Sequence, residues 1–382
     1  MCHRLLDGIL DFFFEYETPR MVTVRNKHIG IIFRFIQLAV LMYIIGWVFL
    51  HEKGYQSTDS IISSVSVKMK GVATGNVSGL GQRVWDVADY TFPSQGSDSF
   101  VIMTNYIVTA GQREMVCKQH SSSGTCKSDR DCFAGQHQRN GQGIMTGKCI
   151  DENGQNTCEI FGWCPAENDT IIPEPPLLLA AENFTMFIKN SITFTRFRVS
   201  RRNLVESVTG EDLQNCIHHH LQKPLCPIFR LGDIVSAIKQ DFPSLARKGG
   251  MIGMVIDWSC NLDLPDTHCL PTYTFHNLHG DLDQISTGFN FRYARYYRED
   301  GIEKRDLYKV FGIRFDIMVQ GKAGKFNLLQ TTVAIGSGIG VFGLATVVCD
   351  LVLLNFLPKR DYYKQKKFKN AETKPQISES KD

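Results

Sequence analysis

The sequence predicts a membrane protein in which two apolar helices flank a large, disulfide-rich, predominantly β external domain. Three observations predict it. Two apolar stretches, 29–50 and 331–357, each reach the roughly 20 residues that cross a bilayer. Ten of the twelve cysteines lie between Cys117 and Cys269, inside the segment those stretches bound, in the company of Gly, Asn and Asp. Such a set reads as a disulfide framework in an oxidising compartment. Basic residues gather on the other side of each stretch: Arg20, Arg25 and Lys27 before the first, Lys359, Arg360, Lys364, Lys366, Lys367 and Lys369 after the second. The positive-inside rule therefore places both termini in the cytosol.

The organisation follows in order: a cytosolic segment 1–28, a first span 29–51, an external domain 52–328, a second span 329–357 and a cytosolic tail 358–382. The leading segment is polar and is not a cleavable signal peptide, since its apolar stretch begins too late. Within it, Thr18 stands two positions before Arg20, a pattern suited to a cytosolic kinase. In the first span Arg34 can snorkel to headgroups, and Tyr43 and Trp47 suit an interfacial belt. Three sequons fall in the external domain, at Asn76, Asn168 and Asn183, on the side where glycans are added.

The external domain reads as strands. Residues 64–70 alternate, with Val65, Val67 and Met69 on one face and Lys68 and Lys70 on the other. Stretches 100–109 and 251–258 are rich in β-branched and apolar residues. Stretch 307–319 alternates with Phe311, Ile313, Phe315 and Ile317 on one side, and Lys309 opens that face. A cysteine-dense insert, 117–164, has little regular pattern and reads as loop; Pro173-Glu174-Pro175-Pro176 reads as a rigid connector out of it. Residues 231–246 predict one short helix, ending before Gly249. Residues 321–325 read as a polar link into the second span.

The second span is unusual for an anchor. Gly336, Ser337, Gly338, Gly340, Gly343 and Ala345 crowd its first half, and Asp350 is its one charge. Small residues four apart allow close helix approach, and an intramembrane carboxylate marks a watery or protein-buried face. A tight helix pair and a pore-lining face of an oligomer both account for this.

Few residues ask for chemistry. Lys68 and Lys70 lie roughly 7 Å apart on one strand face, close enough that an anion or water must relieve their repulsion. Asn290 and Arg292 share a strand face, and an arginine fork suits phosphate oxygens. With Lys309 these five make a polyanion site or simply a solvated surface. His218-His219-His220 cannot all face one ion, so a surface loop is expected. Cys158 and Cys164 have no zinc-finger spacing, so no metal is expected. No HExxH, GxSxG or GxxxxGK[ST] occurs, so no catalytic residue is expected. A net charge of +3 without a basic helix gives no sign of nucleic-acid binding.

From residue 12 to 369 the chain resembles the ATP-gated cation channels called P2X receptors. The resemblance is carried by Tyr16-Glu17-Thr18-Pro19-Arg20, Glu52-Lys53-Gly54-Tyr55-Gln56, Lys68-Met69-Lys70-Gly71 and Trp85-Asp86-Val87-Ala88-Asp89-Tyr90. Asn183-Phe184-Thr185 with Lys189, Asn290-Phe291-Arg292, Lys309 with Gly312-Ile313-Arg314-Phe315-Asp316, and the ten external cysteines complete it. Within the family it is most similar to the first subtype, the rapidly desensitising receptor of smooth muscle and platelets. Arg20-Met21-Val22, Ser66-Val67-Lys68, Glu159-Ile160-Phe161-Gly162-Trp163 and Pro358-Lys359-Arg360 carry that narrower likeness.

The resemblance implies a plasma-membrane homotrimer, or heterotrimers with related subunits, permeable to Na+, K+ and Ca2+. It implies ATP as ligand, with no cofactor, bound between subunits. Its phosphates would be held by Lys68, Lys70, Asn290, Arg292 and Lys309, with Phe291 in the same motif and Thr185 and Lys189 towards adenine. It implies disulfides Cys117–Cys164, Cys126–Cys149, Cys132–Cys158, Cys216–Cys226 and Cys260–Cys269. It implies a gate at Val333 and Ser337 with Gly340 one turn on, and Tyr362 to Lys366 or Tyr363 to Lys367 as a membrane-retention pattern. The chain departs from the family at Thr195, Thr287, Asn327 and Gln330, the last two bearing on the start of the second span. An ectonucleotidase would want metal-holding carboxylates, a trimeric channel for another ligand would not need the lysines, and an adhesion receptor would not need the glycine-rich span.

Overall fold

The structure is a computed structural model describing residues 27–77, 81–93, 98–120, 125–139, 141–152, 154–204, 210, 213, 216–278, 288–355 and 360–362. The chain divides into two units: residues 58–324, and the flanking segments 1–57 with 325–382. The α-helices are α1 (Lys27–Met42), α2 (Val87–Tyr90), α3 (Leu231–Ala237), α4 (Phe242–Lys248) and α5 (Leu328–Asn355).

The flanking unit is helical. α1 runs on as π-helical turns over Tyr43–His51, closed where the Glu52 amide reaches the Trp47 carbonyl at 2.9 Å. α5 begins at Asn327, whose side-chain oxygen accepts from the amides of Leu329 (2.9 Å) and Gln330 (3.3 Å). That is an N-cap. The departures at 327 and 330 thus compensate each other: an amide that proline would lack is present and capped. Ala334, Gly338, Ala345 and Cys349 form one buried stripe of α5. A Cβ on Gly338 would lie 3.3 Å from Ile44, so this glycine is where the two helices approach.

The 58–324 unit is organised by strands. They are β1 (Gln56–Lys70), β2 (Ala73–Val77), β3 (Gly81–Trp85), β4 (Thr91–Phe92), β5 (Ser99–Lys118), β6 (Gly143–Glu152) and β7 (Gln155–Cys164). There follow β8 (Thr185–Phe194), β9 (Val199–Arg202), β10 (Ile228–Arg230), β11 (Gly250–Asn261), β12 (Thr272–Asn277), β13 (Asn290–Glu299) and β14 (Ile302–Phe326). The main sheet runs β10-β8-β1-β14-β5-β7-β6; β11 and β13 also pair with β14, and β2–β3 form a separate ribbon. Phe100 and Phe315, both buried, stack at 5.6 Å across β5 and β14. Burying such a side chain stabilises by roughly 1.5–3 kcal/mol.

Four expectations are corrected here. The register of β14 on β5 shifts between Phe311 and Gly312, so Val310, Ile313 and Phe315 all reach the core. The extra residue is Thr104 of β5, skipped between the pairs Phe311–Asn105 and Gly312–Met103, and it offsets the alternation of the two strands by one. Lys309 therefore lies on the face opposite Val310, not at the head of the apolar face. Second, residues 231–248 hold two helices, because Lys239 takes a left-handed conformation (φ 59°) and Asp241 caps a new start. Third, the insert 117–164 contains the β6–β7 hairpin. Fourth, β14 continues through 321–325, where Gly321 pairs with Trp258 and a Cβ would strike that residue.

A buried polar network holds β8 in place. The Trp258 indole donates to the Asn190 side-chain oxygen at 2.7 Å, and the Asn190 amide side chain donates to the Ser64 carbonyl at 3.1 Å. Asn203 accepts from the Asn190 backbone and donates to the Ile188 carbonyl. These bonds fix β8 against β1 just where the lysines lie.

Candidate functional site

The first cationic group is built by the β1–β8 ladder. Lys68 stands opposite Phe187, Lys70 opposite Thr185, and Ser66 opposite Lys189. Directly opposed residues share a sheet face, so Lys68, Lys70, Thr185 and Lys189 emerge together while Val67, Met69, Met186 and Ile188 are buried behind them. The three lysines are exposed and make no ion pair among the described residues. Lys189 lies 5.7 Å from the Phe187 ring centre. The strand can end at Lys70 because Gly71, at φ +151°, faces Phe184, where a Cβ would enter the ring. Phe184 packs on buried Tyr90, whose hydroxyl donates to the Gly71 carbonyl; burial pushes that phenol up to about 12. Across β10, Arg230 faces Thr185 but is held by Asp233 at 2.6 Å. A cavity of about 490 Å³ opens here, lined by Lys70, Thr185, Phe187, Ile217 and Ile228 among others, and by none of Asn290, Arg292 or Lys309.

The second group is built by β13 and β14. Arg292 stands opposite Lys309 and Asn290 opposite Phe311, so Asn290, Arg292 and Lys309 share a face. Both cations are occupied. The Arg292 Nε donates to the two oxygens of Glu167 at 3.0 and 2.8 Å, and its terminal nitrogen donates to Asp169 at 3.1 Å. Lys309 donates to the same Asp169 oxygen at 2.6 Å. The Glu167 side chain is 8% exposed and Lys309 13%, whereas Asp169 is 31% and Arg292 44% exposed, so the cluster is buried on one side and open to solvent on the other. The hydrogen bond from Lys309 holds the Asp169 carboxyl below its ordinary range, aided by the Arg292 charge and opposed by burial. Gln142 secures the segment by donating to the Glu167 carbonyl at 2.9 Å. Charges are balanced here, and an anion that takes over these contacts of Arg292 and Lys309 displaces two carboxylates.

Phe291 points away from this face. It packs on Phe92 at 5.4 Å and joins the core margin, so its local role is to seat β13.

Elsewhere, Val333, Ser337 and Gly340 are all exposed on α5. At ~100° per residue they lie about a third of a turn from the stripe that meets α1. Disulfides join Cys117–Cys164, Cys126–Cys149, Cys132–Cys158, Cys216–Cys226 and Cys260–Cys269. The close sulfurs of Cys126, Cys132 and Cys149 all belong to these bridges and offer no thiolate to a metal. His218 packs between Phe229 and Tyr273, at 4.6 and 5.4 Å, and burial lowers its basicity; His219 and His220 are exposed. Asn76, Asn168 and Asn183 are exposed. Thr18, Thr287, Ser78 and the residues 363–382 lie outside the described residues.

Sequence reasoning missed Glu167 and Asp169. Two acids in a short polar stretch are ordinary, and their partners lie more than a hundred positions away. The faint signal was Lys309, a cation that needed an anionic neighbour.

Two apolar helices that flank, in sequence, a disulfide-braced β domain with one exposed cationic face and one cluster of clamped cations fit a membrane receptor for an anionic ligand. The comparisons fix which. A family profile described as ATP P2X receptor matches residues 14–370. P2X purinoceptor 4 of Mus musculus is 48% identical over 366 residues, 94% of each chain, and P2X purinoceptor 5 of Homo sapiens is 44% identical over 371 residues, 95% of this chain and 83% of that one. The crystal structure of an invertebrate P2X receptor from the Gulf Coast tick, in the presence of ATP and Zn2+, matches with TM-score 0.77 and 40% identity, covering 84% of this chain and all of that one. The chicken ATP-gated P2X7 receptor channel, with the competitive antagonist TNP-ATP, matches with TM-score 0.75 and 37% identity, covering 86% and 100%. The chain belongs to the ATP P2X receptor family. It is thus an ATP-gated cation channel of the plasma membrane with two spans and cytosolic termini, and not an enzyme. The narrower likeness to the first subtype is not what these relatives carry.

Proposed function

We propose that ATP bridges the two cationic groups across a subunit boundary of a trimer, homomeric or shared with related subunits. One subunit presents Lys68, Lys70, Thr185 and Lys189; its neighbour presents Asn290, Arg292 and Lys309. The cavity beside Lys70 and Thr185, walled by Phe187 and Ile228, suits a flat base with a hydroxyl to bond. The observation that carries the reading is the pair of carboxylates seated on Arg292 and Lys309. They keep a half-exposed arginine and a largely buried lysine neutralised until a polyanion of higher charge replaces them. Binding energy then differs between closed and open trimers, as gating requires.

The lever is covalent. Lys309 lies on β14, which ends one residue before Asn327 caps α5. Movement of β14 turns or draws α5, and Val333, Ser337 and Gly340 line the path of Na+, K+ and Ca2+. Glycans on the exposed sequons and a phosphate on Thr18 belong to the same reading. Fast desensitisation, the mark of the first subtype, is supported by Ser66-Val67-Lys68 and Glu159-Ile160-Phe161-Gly162-Trp163 alone, and the current's decay during a sustained ATP pulse tests it.

The test is whole-cell current at negative potential during a fast ATP pulse. Wild-type channels give a rapid inward current. Lys309→Ala reaches the surface but needs about a hundredfold more ATP or more, the scale of truncating a buried charge partner. An unchanged dose–response curve removes Lys309 from the site.

A further inference from the structure

The carboxylates that occupy Arg292 and Lys309 are residues 167 and 169, and the residue between them is a sequon asparagine. Asn168 is exposed while Glu167 is buried and Asp169 half-buried. The Asn168 side-chain oxygen accepts from the Thr170 hydroxyl at 2.7 Å and from the Thr170 amide at 3.2 Å. Those bonds use the oxygen and leave the side-chain nitrogen, the atom that takes an N-glycan, outside the turn. A sugar on an exposed Asn-X-Thr is bulky and solvated.

We propose that Asn168 carries an N-glycan that sits at the rim of the ATP site and restrains ATP entry. The proposal rests on the reading that Arg292 and Lys309 receive phosphate. A triphosphate that takes over the bonds of Arg292 and Lys309 displaces Glu167 and Asp169, so the peptide at Asn168 moves with its glycan. The glycan narrows the solvent approach to the same two cations, and a crowded approach slows association. Asn76 lies on β2, and Asn183 stands beyond the β1–β8 face just before β8; neither is flanked by residues that occupy the cations. Of the three sequons, this one is coupled to the site by its immediate neighbours.

The experiment uses the full-length receptor on cells. Asn168→Gln and Thr170→Ala each remove the sequon by a different residue, while Thr170→Ser keeps both sequon and hydroxyl. The wild type and Thr170→Ser should run one glycan heavier than the other two, a difference erased by a glycosidase. Both sequon-less variants should reach half-maximal current at about threefold lower ATP, through faster activation, and Thr170→Ser should match the wild type. Trimming surface glycans should shift the wild-type curve the same way and leave Asn168→Gln unmoved, which separates the sugar from the side chain. Absence of the mobility difference, or an ATP curve unmoved or moved to higher ATP, overturns the proposal. Lys309→Ala in parallel reports the underlying site independently: if it responds normally to ATP, the reading of that site fails first.

Discussion

The two cationic groups have the same sign and opposite states. On β1–β8, Lys68, Lys70 and Lys189 stand exposed on a solvent face, without ion pairs among the described residues. On β13–β14, Arg292 and Lys309 are half-buried or more and fully engaged by Glu167 and Asp169. Exposed cations attract an anionic ligand from a distance, raising its encounter rate in a salt-dependent way. Clamped cations cannot do this, since their charge is balanced locally. On the proposed reading they offer exchange: a carboxylate leaves as a phosphate arrives, and the strand that carries the lysine is free to move. In that proposal one face captures and the other switches.

Substitutions can break that division. The largest effect is expected at Gly71→Ala, where the new methyl meets the Phe184 ring and the backbone is held at positive φ. Loss of about 3 kcal/mol should abolish surface expression, measured by biotinylation, and a normal surface level would show that the turn after Lys70 has slack. Next, Lys68→Ala should raise half-maximal ATP about as much as Lys309→Ala, but with a different signature. The Lys68 defect should grow at low ionic strength, where steering by an exposed charge is strongest, and the Lys309 defect should not. Identical salt dependence would erase the distinction.

The smallest effect concerns pH. Asp169 has a depressed carboxyl pKa, so its ion pair is present above the ordinary carboxylate range and is lost only as pH falls through the depressed value. Acidification from about pH 7.4 to about pH 6 should leave this clamp intact. Asp169→Asn and the wild type should therefore show the same proton sensitivity in ATP dose–response curves. A proton effect absent from Asp169→Asn would mean the clamp titrates where it should not.

Much of the capturing face was legible in the sequence, and much of the switching face was not. Lys68 and Lys70 alternate with buried Val67 and Met69, and period two alone puts them on one side. Both spans, the oxidising compartment and the topology follow from hydropathy, cysteine placement and Lys/Arg bias. The switching face depends on three things that local pattern does not encode. The bulge at Phe311 and Gly312 changes which face Lys309 takes. The β13–β14 register sets Arg292 opposite it. The carboxylates arrive from a segment 140 residues earlier in the chain than Lys309. Phe291 is the opposite case: period two alone sets it on the face away from Asn290 and Arg292, where it packs on Phe92.

The clamp itself is best tested by removing its charge without its shape. The variant is Glu167→Gln with Asp169→Asn, compared with the wild type by half-maximal ATP in fast-perfused patches; the Asn168 sequon survives both changes. With Arg292 and Lys309 no longer neutralised, ATP has less to displace. Half-maximal current should come at about tenfold lower ATP, within the coupling energies of close charge pairs. An unchanged curve, or one moved to higher ATP, would mean that the carboxylates do not compete with phosphate and that the exchange account is wrong.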